Sequence, residues 1–279
     1  MRARLRLFVS RAATLALVAA TVFATSGDAA QFRQRRGGFE GFRTAAPDSF
    51  DGHFNFCRIS FQSNRGRGGG WGVDYPQADV NLSIRLSELT RTRVSFEGAQ
   101  EPRHFVVRLT DDTLFQCPFT MMTEVGGLYL DEEEAPRLRE YLVKGGFLWT
   151  DDFWGSYSWR IFETEIRKAL PAAEYPLIDL PLDHPIFRTQ FEVPRVRQIP
   201  SINYWWGSGG GTSEGGRETA EPHARAIVDS QGRVMVLITH NTDYGDSWER
   251  EAEDPAYFLE FAIDGYAFGI NAVLYAMTH

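Results

Sequence analysis

The sequence predicts an α/β domain built as a layered, mostly parallel sheet with helices on both faces. Three observations carry that expectation. Strand-like and helix-like stretches alternate along the chain from Phe54 onward. The run Phe147–Thr150 is apolar with no polar alternation, as in a strand covered on both sides. It is preceded by the glycine stop Gly145-Gly146 and followed by two carboxylates, Asp151 and Asp152, at the place where a strand ends and a helix begins.

Taken in order, Phe54 to Phe61 reads as a strand by period-two alternation. The stretch Asn64 to Gly72, rich in glycine and ending at Trp71-Gly72, reads as a loop. Asp74-Tyr-Pro76 opens a helix, proline being tolerated in the first turn, and Val80, Leu82, Leu86 and Leu89 give it a partial apolar face. Thr92 to Phe96 predicts a short strand, and two apolar runs follow at His104 to Leu109 and Leu114 to Met122. Asp131-Glu-Glu-Glu134 is a capping-box pattern, with Leu138, Tyr141 and Leu142 as the buried stripe of the helix it starts. Beyond Asp152 a second helix carries Trp159, Phe162, Ile166 and Ala169 on one stripe and stops at Pro171. Tyr175 to Leu180 predicts a strand, and Ile202 to Gly216, holding Trp205-Trp206, an exposed flap. Ala224 to Val228 and Arg233 to Thr239 read as a hairpin, and Pro255 to Met277 as a closing helix.

The N-terminus has the parts of a secretory signal over residues 1–30: Arg2, Arg4, Arg6 and Arg11, an apolar run from Ala12 to Ala24, and small residues before a polar change. The run is too short to span a bilayer well, although an uncleaved anchor is the competing reading. Export to the periplasm or the outside is therefore expected, with no membrane span left after cleavage. Residues 31–52, rich in Arg, Gly and Phe, read as a flexible leader, and residues 53–279 as one domain. With 43% hydrophobic and 14% aromatic residues the domain has ample material for a core. Residues 1–29 hold four arginines against one aspartate, so their removal takes the formal charge from -8 to -11. Such an acidic body argues against a nucleic-acid partner. The only two cysteines, Cys57 and Cys117, pair after export or stay as two buried thiols, and spacing leaves both open.

Candidate site residues follow from the fold, since ligands in such sheets sit beyond the carboxyl ends of the strands. Asp151, Asp152, His240 and Asp243 all fall there, and Trp71 lies in a glycine-rich loop beside the first strand. Two adjacent carboxylates split their pKa values and suit acid–base work, yet neighbouring strand residues point to opposite faces. One of the pair is thus expected to face the cleft while the other caps a helix or meets an arginine. Asp151 or Asp152 with His240 and Asp243 offers oxygen and imidazole donors to a divalent metal, without any recognised ligand spacing. The glycine-rich loop lacks the Gly-Lys-Ser/Thr ending of a phosphate loop, and no cofactor is expected. Trp205-Trp206 is a sugar platform or a local aromatic plug.

Four phrases in order, Gly145 to Asp152, Asp183 to Phe187, Gly245 to Glu249 and Gly269 to Tyr275, resemble family 4159 of the domains of unknown function, over about residues 53 to 278. That family is similar to the class I glutamine amidotransferase-like, flavodoxin-like sheets, and the resemblance implies that fold. It also implies a cysteine nucleophile on the turn after a strand, where this chain has Asp151 and Asp152. Thiolate attack needs a cysteine there, so glutamine amidotransferase activity is not expected. The expected function is a non-catalytic binding or scaffold domain for a small molecule or protein. The alternative is a hydrolase using an Asp of the elbow with His240, with or without a metal.

Overall fold

The computed structural model describes residues 42–64, 70–98 and 100–279. The expected signal segment, residues 31–41 of the leader and residues 65–69 of the glycine-rich loop lie outside these. Residues from Arg43 onward form one compact unit. The part of the leader that is described is engaged with the body: Thr44 bridges Val106, and the Phe50 ring packs 5.2 Å from Phe105.

A seven-stranded sheet forms the middle layer. Its strands are β1 (Phe56–Ser60), β2 (His104–Arg108), β3 (Phe119–Thr123), β4 (Phe147–Asp151), β5 (Leu177–Asp179), β6 (His223–Val228) and β7 (Val234–His240). Across the sheet the order is β2-β1-β3-β4-β7-β6-β5. The first five run parallel, while β6 is antiparallel to both of its neighbours. Helices cover both faces, as the unalternated apolar strands require. On one face Phe56, Phe119, Phe147, Trp149 and Leu237 pack beneath helices α1 (Gln77–Leu89), α5 (Tyr244–Glu249) and α6 (Ile263–Thr278). On the other, Cys57, Ile59, Met122, Leu148 and Ile238 pack beneath α2 (Glu134–Val143) and α3 (Gly155–Ala169).

Trp149 is the centre of the first face. Its ring meets Phe119, Trp248 and Phe268 edge-on at 6.4, 5.4 and 5.4 Å, and its Nε1 donates to Thr239 Oγ1 at 2.7 Å. Such aromatic pairs each add about 0.5–1.5 kcal/mol beyond their buried area. The close approach of α6 needs Gly269, where a Cβ would stand 2.6 Å from Trp248 Cζ2. On the second face Cys57 and Cys117 form a disulfide with their Cα atoms 6.1 Å apart. This closes the question that spacing left open. In the chain-entropy model a crosslink of sequence separation 60 contributes about 4 kcal/mol.

Local chemistry explains the element ends. Asp131 Oδ1 accepts from the backbone N of Glu133 and Glu134, and Glu134 Oε2 accepts in return from Asp131 N, which is the reciprocal box read from the sequence. The stretch expected to be an exposed flap differs: α4 (Ile202–Ser208) forms there, with Ser201 capping its start at Tyr204 N and Gly209 in the left-handed region at its end. The serine cap and the glycine stop outweigh the weak helix propensity between them. Residues 92–96 contribute only an isolated Phe54–Val94 bridge and a short pair between Phe96–Glu97 and Glu101–Pro102, outside the main sheet.

Candidate functional site

The parallel strands end together along one edge, and polar side chains collect there. Among the described residues, four non-glycine residues adopt positive φ: Asp74 (62°), Glu124 (51°), Asp152 (54°) and Asn241 (60°). Three of them directly follow β3, β4 and β7. Side chains rarely accept this conformation without compensation, and such strain gathers where backbone is bent to aim side chains.

The two adjacent aspartates divide the work. Asp151 is fully buried and serves the fold: Oδ1 accepts from Thr239 Oγ1 at 2.5 Å, and Oδ2 from the backbone N of Tyr244 and Gly245 at 2.7 and 3.1 Å. It thus fastens the start of α5 to the end of β4. Burial raises its pKa to about 7 against the lowering effect of these hydrogen bonds. Asp152 sits on the turn between β4 and α3, and Trp154 Nε1 donates to its Oδ1 at 3.2 Å. Burial first, then the charges of Glu124 and Asp151, push its pKa well up.

Asp152 meets Asp74 and Asp243, and ligand oxygens of the three lie within 4.8 Å of one another. Each reaches that position by a different local device. Asp243 caps α5, with Oδ1 accepting from Asp246 N at 2.8 Å. Asp74 precedes α1, on a loop tied to the sheet by Arg58 of β1, whose Nη1 donates to the carbonyls of Trp71 and Val73 at 3.3 and 3.2 Å and to Thr123 Oγ1 at 3.0 Å. The same guanidinium holds Asp79 of α1 through Nε at 3.1 and 3.2 Å and through Nη2, with both side chains fully buried.

Asp74 receives no such partner. Its Oδ2 is buried and makes no hydrogen bond. It lies 2.5 Å from the point where a Cβ on residue 245 would stand, and Asp243 Oδ1 lies 3.4 Å from that point. Gly245 therefore leaves a notch faced by two carboxylate oxygens. Burial, then Asp152, Asp246 and Glu249, drive the Asp74 pKa well above the usual carboxylate range, with Arg58 opposing. Asp243 is driven up by burial, then by Asp152 and Asp74. These three carboxylates supply hard oxygen donors, short of counter-charge, close enough together to share one Ca²⁺-sized ion.

His240 stands elsewhere. Side chains alternate along β7, so Thr239 faces Asp151 while His240 faces the second core. Its ring packs 4.8 Å from Phe153 and 5.2 Å from Trp159, and stacks on His223 at 5.9 Å. Its Nε2 lies 3.2 Å from Gly155 O, while Nδ1 has no hydrogen-bond partner. Burial lowers its pKa to about 4, so the ring is neutral. Neither Asp151 nor Asp152 touches it through a hydrogen bond. Trp71 packs against the second core and contributes its carbonyl, through Arg58 and Thr123, to fixing the Asp74 loop. His184 caps a short 3-10 turn at Ile186 N, away from these groups.

Sequence reasoning thus reached Asp152 and Asp243 but not Asp74, Asp246 or Glu249. Asp74 reads as the opener of a helix, and only folding brings it across to Gly245. Asp246 and Glu249, one helical turn apart behind the Asp243 cap, were a signal the sequence does contain.

Together these features define an α/β domain with a partly buried carboxylate cluster at the carboxyl ends of a mostly parallel sheet. The chain belongs to the family described as Domain of unknown function (DUF4159), whose model matches residues 56–277. No curated protein matches the chain.

Proposed function

We propose that this chain is an exported binding or scaffold domain, on an amidotransferase-like sheet, that holds a divalent cation at Asp74, Asp152 and Asp243. The observation that carries the reading is the buried Asp74 Oδ2, without a hydrogen-bond partner and facing the Gly245 notch alongside Asp243 Oδ1. A buried carboxylate oxygen left bare costs about 1–3 kcal/mol or more, and a cation removes that cost. The order β2-β1-β3-β4-β7 supports the fold assignment, since it follows the 2-1-3-4-5 order of flavodoxin-like sheets. Export is supported by the arginine-led apolar segment at the start and by the Cys57–Cys117 disulfide, which suits an oxidising compartment. Binding in place of turnover is supported by the thiols: both cysteines are in the disulfide, so no thiolate is available as nucleophile.

The test is calorimetric titration of EDTA-stripped protein with Ca²⁺, Mg²⁺ and Mn²⁺. Binding of at least one ion is expected, weakened more than tenfold in Asp74→Asn and in Asp243→Asn. Absence of binding for all three ions refutes the reading.

One observation favours a second reading, a cation-assisted hydrolase. Asp152 occupies a strand–turn–helix elbow at φ 54°, the placement of nucleophiles in other α/β enzymes. Hydrolytic turnover on a panel of ester and amide substrates that vanishes in Asp152→Asn, in a folded variant, would establish it in place of the first.

A further inference from the structure

His240 keeps an unused donor atom on the opposite face of the sheet. The residue is 6% exposed, its Nε2 lies 3.2 Å from the Gly155 carbonyl, and its Nδ1 has no hydrogen-bond partner. A carbonyl oxygen only accepts, so in the neutral ring Nε2 carries the proton and Nδ1 presents a bare lone pair. We propose that His240 Nδ1 and His223 hold a divalent transition-metal ion of the Zn²⁺ or Cu²⁺ class. This site shares no ligand with Asp74, Asp152 and Asp243, and stands or falls without them.

Strand register is the first argument. His223 opens β6 and is paired directly with His240, the last residue of β7, in the antiparallel ladder. Residues so paired carry their Cβ atoms about 4.5–5.5 Å apart on one face of the sheet. The two rings stack with centroids 5.9 Å apart and planes inclined by 17°. Nitrogens that share one ion at about 2.0–2.1 Å each stand no more than about 4 Å apart. His223 is half-buried, with solvent on one side, so its ring turns a nitrogen toward Nδ1 without disturbing the core.

The setting of His240 is the second, independent argument. A metal-bound histidine donates its other ring N–H to a carbonyl or carboxylate, which fixes the tautomer and aims the ring. Gly155 O takes that part here, and Gly155 is itself fixed, its N donating to Asn241 Oδ1 at 2.9 Å. A buried acceptor left bare is costly, and a metal bond removes the cost. The positive charge that opposes an ion is Arg225, and the fold offsets it: its Nε is 2.9 Å from Asp179 Oδ1, and its guanidinium lies 4.4 Å over the Trp159 ring. Burial and then Arg225 lower the His223 pKa, while Asp179 and Glu221 oppose them, so two carboxylates stand close enough to act on this ring. Imidazole nitrogens select Zn²⁺ or Cu²⁺ over the hard ions Ca²⁺ and Mg²⁺.

The experiment uses the full mature chain, stripped with EDTA and held in excess Ca²⁺. One equivalent of Cu²⁺ is added and pulsed electron paramagnetic resonance counts its imidazole ligands, while calorimetry reads the affinity for Zn²⁺. Two imidazoles are expected in the unaltered protein and one in His223→Gln. Zn²⁺ affinity is expected to fall more than tenfold in both His223→Gln and His240→Gln. Asp74→Asn should leave both signals unchanged, so failure of this site and failure of the carboxylate site are told apart. Cu²⁺ bound with fewer than two imidazoles, no Zn²⁺ binding, or a Zn²⁺ affinity unchanged in His223→Gln overturns the proposal. His223 lies toward solvent, so its variant keeps the test decisive should His240→Gln fail to fold.

Discussion

Asp79 and Asp74 lie one on α1 and one just before it, both near the sheet edge, and the fold treats them in opposite ways. Asp79 is sealed from water with Arg58, and every charged atom of that pair has a partner on this chain. Asp74 has no salt bridge among the described residues, and the groups around it are mostly other carboxylates. The first arrangement is complete as the chain folds. The second is short of counter-charge, and on the proposed reading a bound cation supplies it.

The contrast breaks most visibly at Arg58. Arg58→Met strands Asp79 in the core and releases the carbonyls of the Asp74 loop, and a loss of about 3–5 kcal/mol is expected in urea denaturation. Added cation should not restore it. Gly245→Ala places a methyl 2.5 Å from Asp74 Oδ2. Overpacking of this kind costs about 1–3 kcal/mol, and calorimetry should show cation affinity falling at least tenfold. A smaller effect of opposite sign sharpens the comparison: with EDTA at pH 8, Asp74→Asn should stabilise the protein by about 1 kcal/mol, because the raised pKa marks a charge the fold disfavours. Asp79→Asn should destabilise it under the same conditions.

The smallest expected effect is the pH dependence of the ion-free protein. Asp151 and Glu249 have folded pKa values raised to about 7, and Asp74, Asp152 and Asp243 are raised as well. Between the ordinary carboxylate range and about pH 7 the native state therefore binds more protons than the unfolded chain, and stability falls as pH rises. His240, lowered to about 4, works the other way, losing stability as pH falls below its ordinary value. The carboxylates outnumber it, so thermal denaturation in EDTA should give a Tm a few degrees higher at pH 5 than at pH 8. Saturating Ca²⁺ should remove or reverse the difference.

Much of the scaffold was legible because its determinants are local. The apolar run at Phe147, the Asp131 box, the glycine pair before β4 and the hairpin around Gln231-Gly232 each fix a piece of backbone within a few residues. The site was only half legible because its determinants are not local. Asp74 and Gly245 are far apart in sequence, and their meeting depends on the register of α1 against α5. Nor could the sequence tell which of Asp151 and Asp152 would turn inward, since a single residue at positive φ decides it. His240 was misleading for the same reason: its place at a strand end was right, but side-chain alternation sends it to the opposite face from Thr239.

The Cys57–Cys117 bond also encloses Arg58, Asp74, Asp79 and the glycine-rich loop within one covalent ring. A protease that cuts once anywhere inside that ring leaves a single particle of unchanged mass apart from the added water, and the fragments part only after reduction. A nick between the two cysteines is then not a severance.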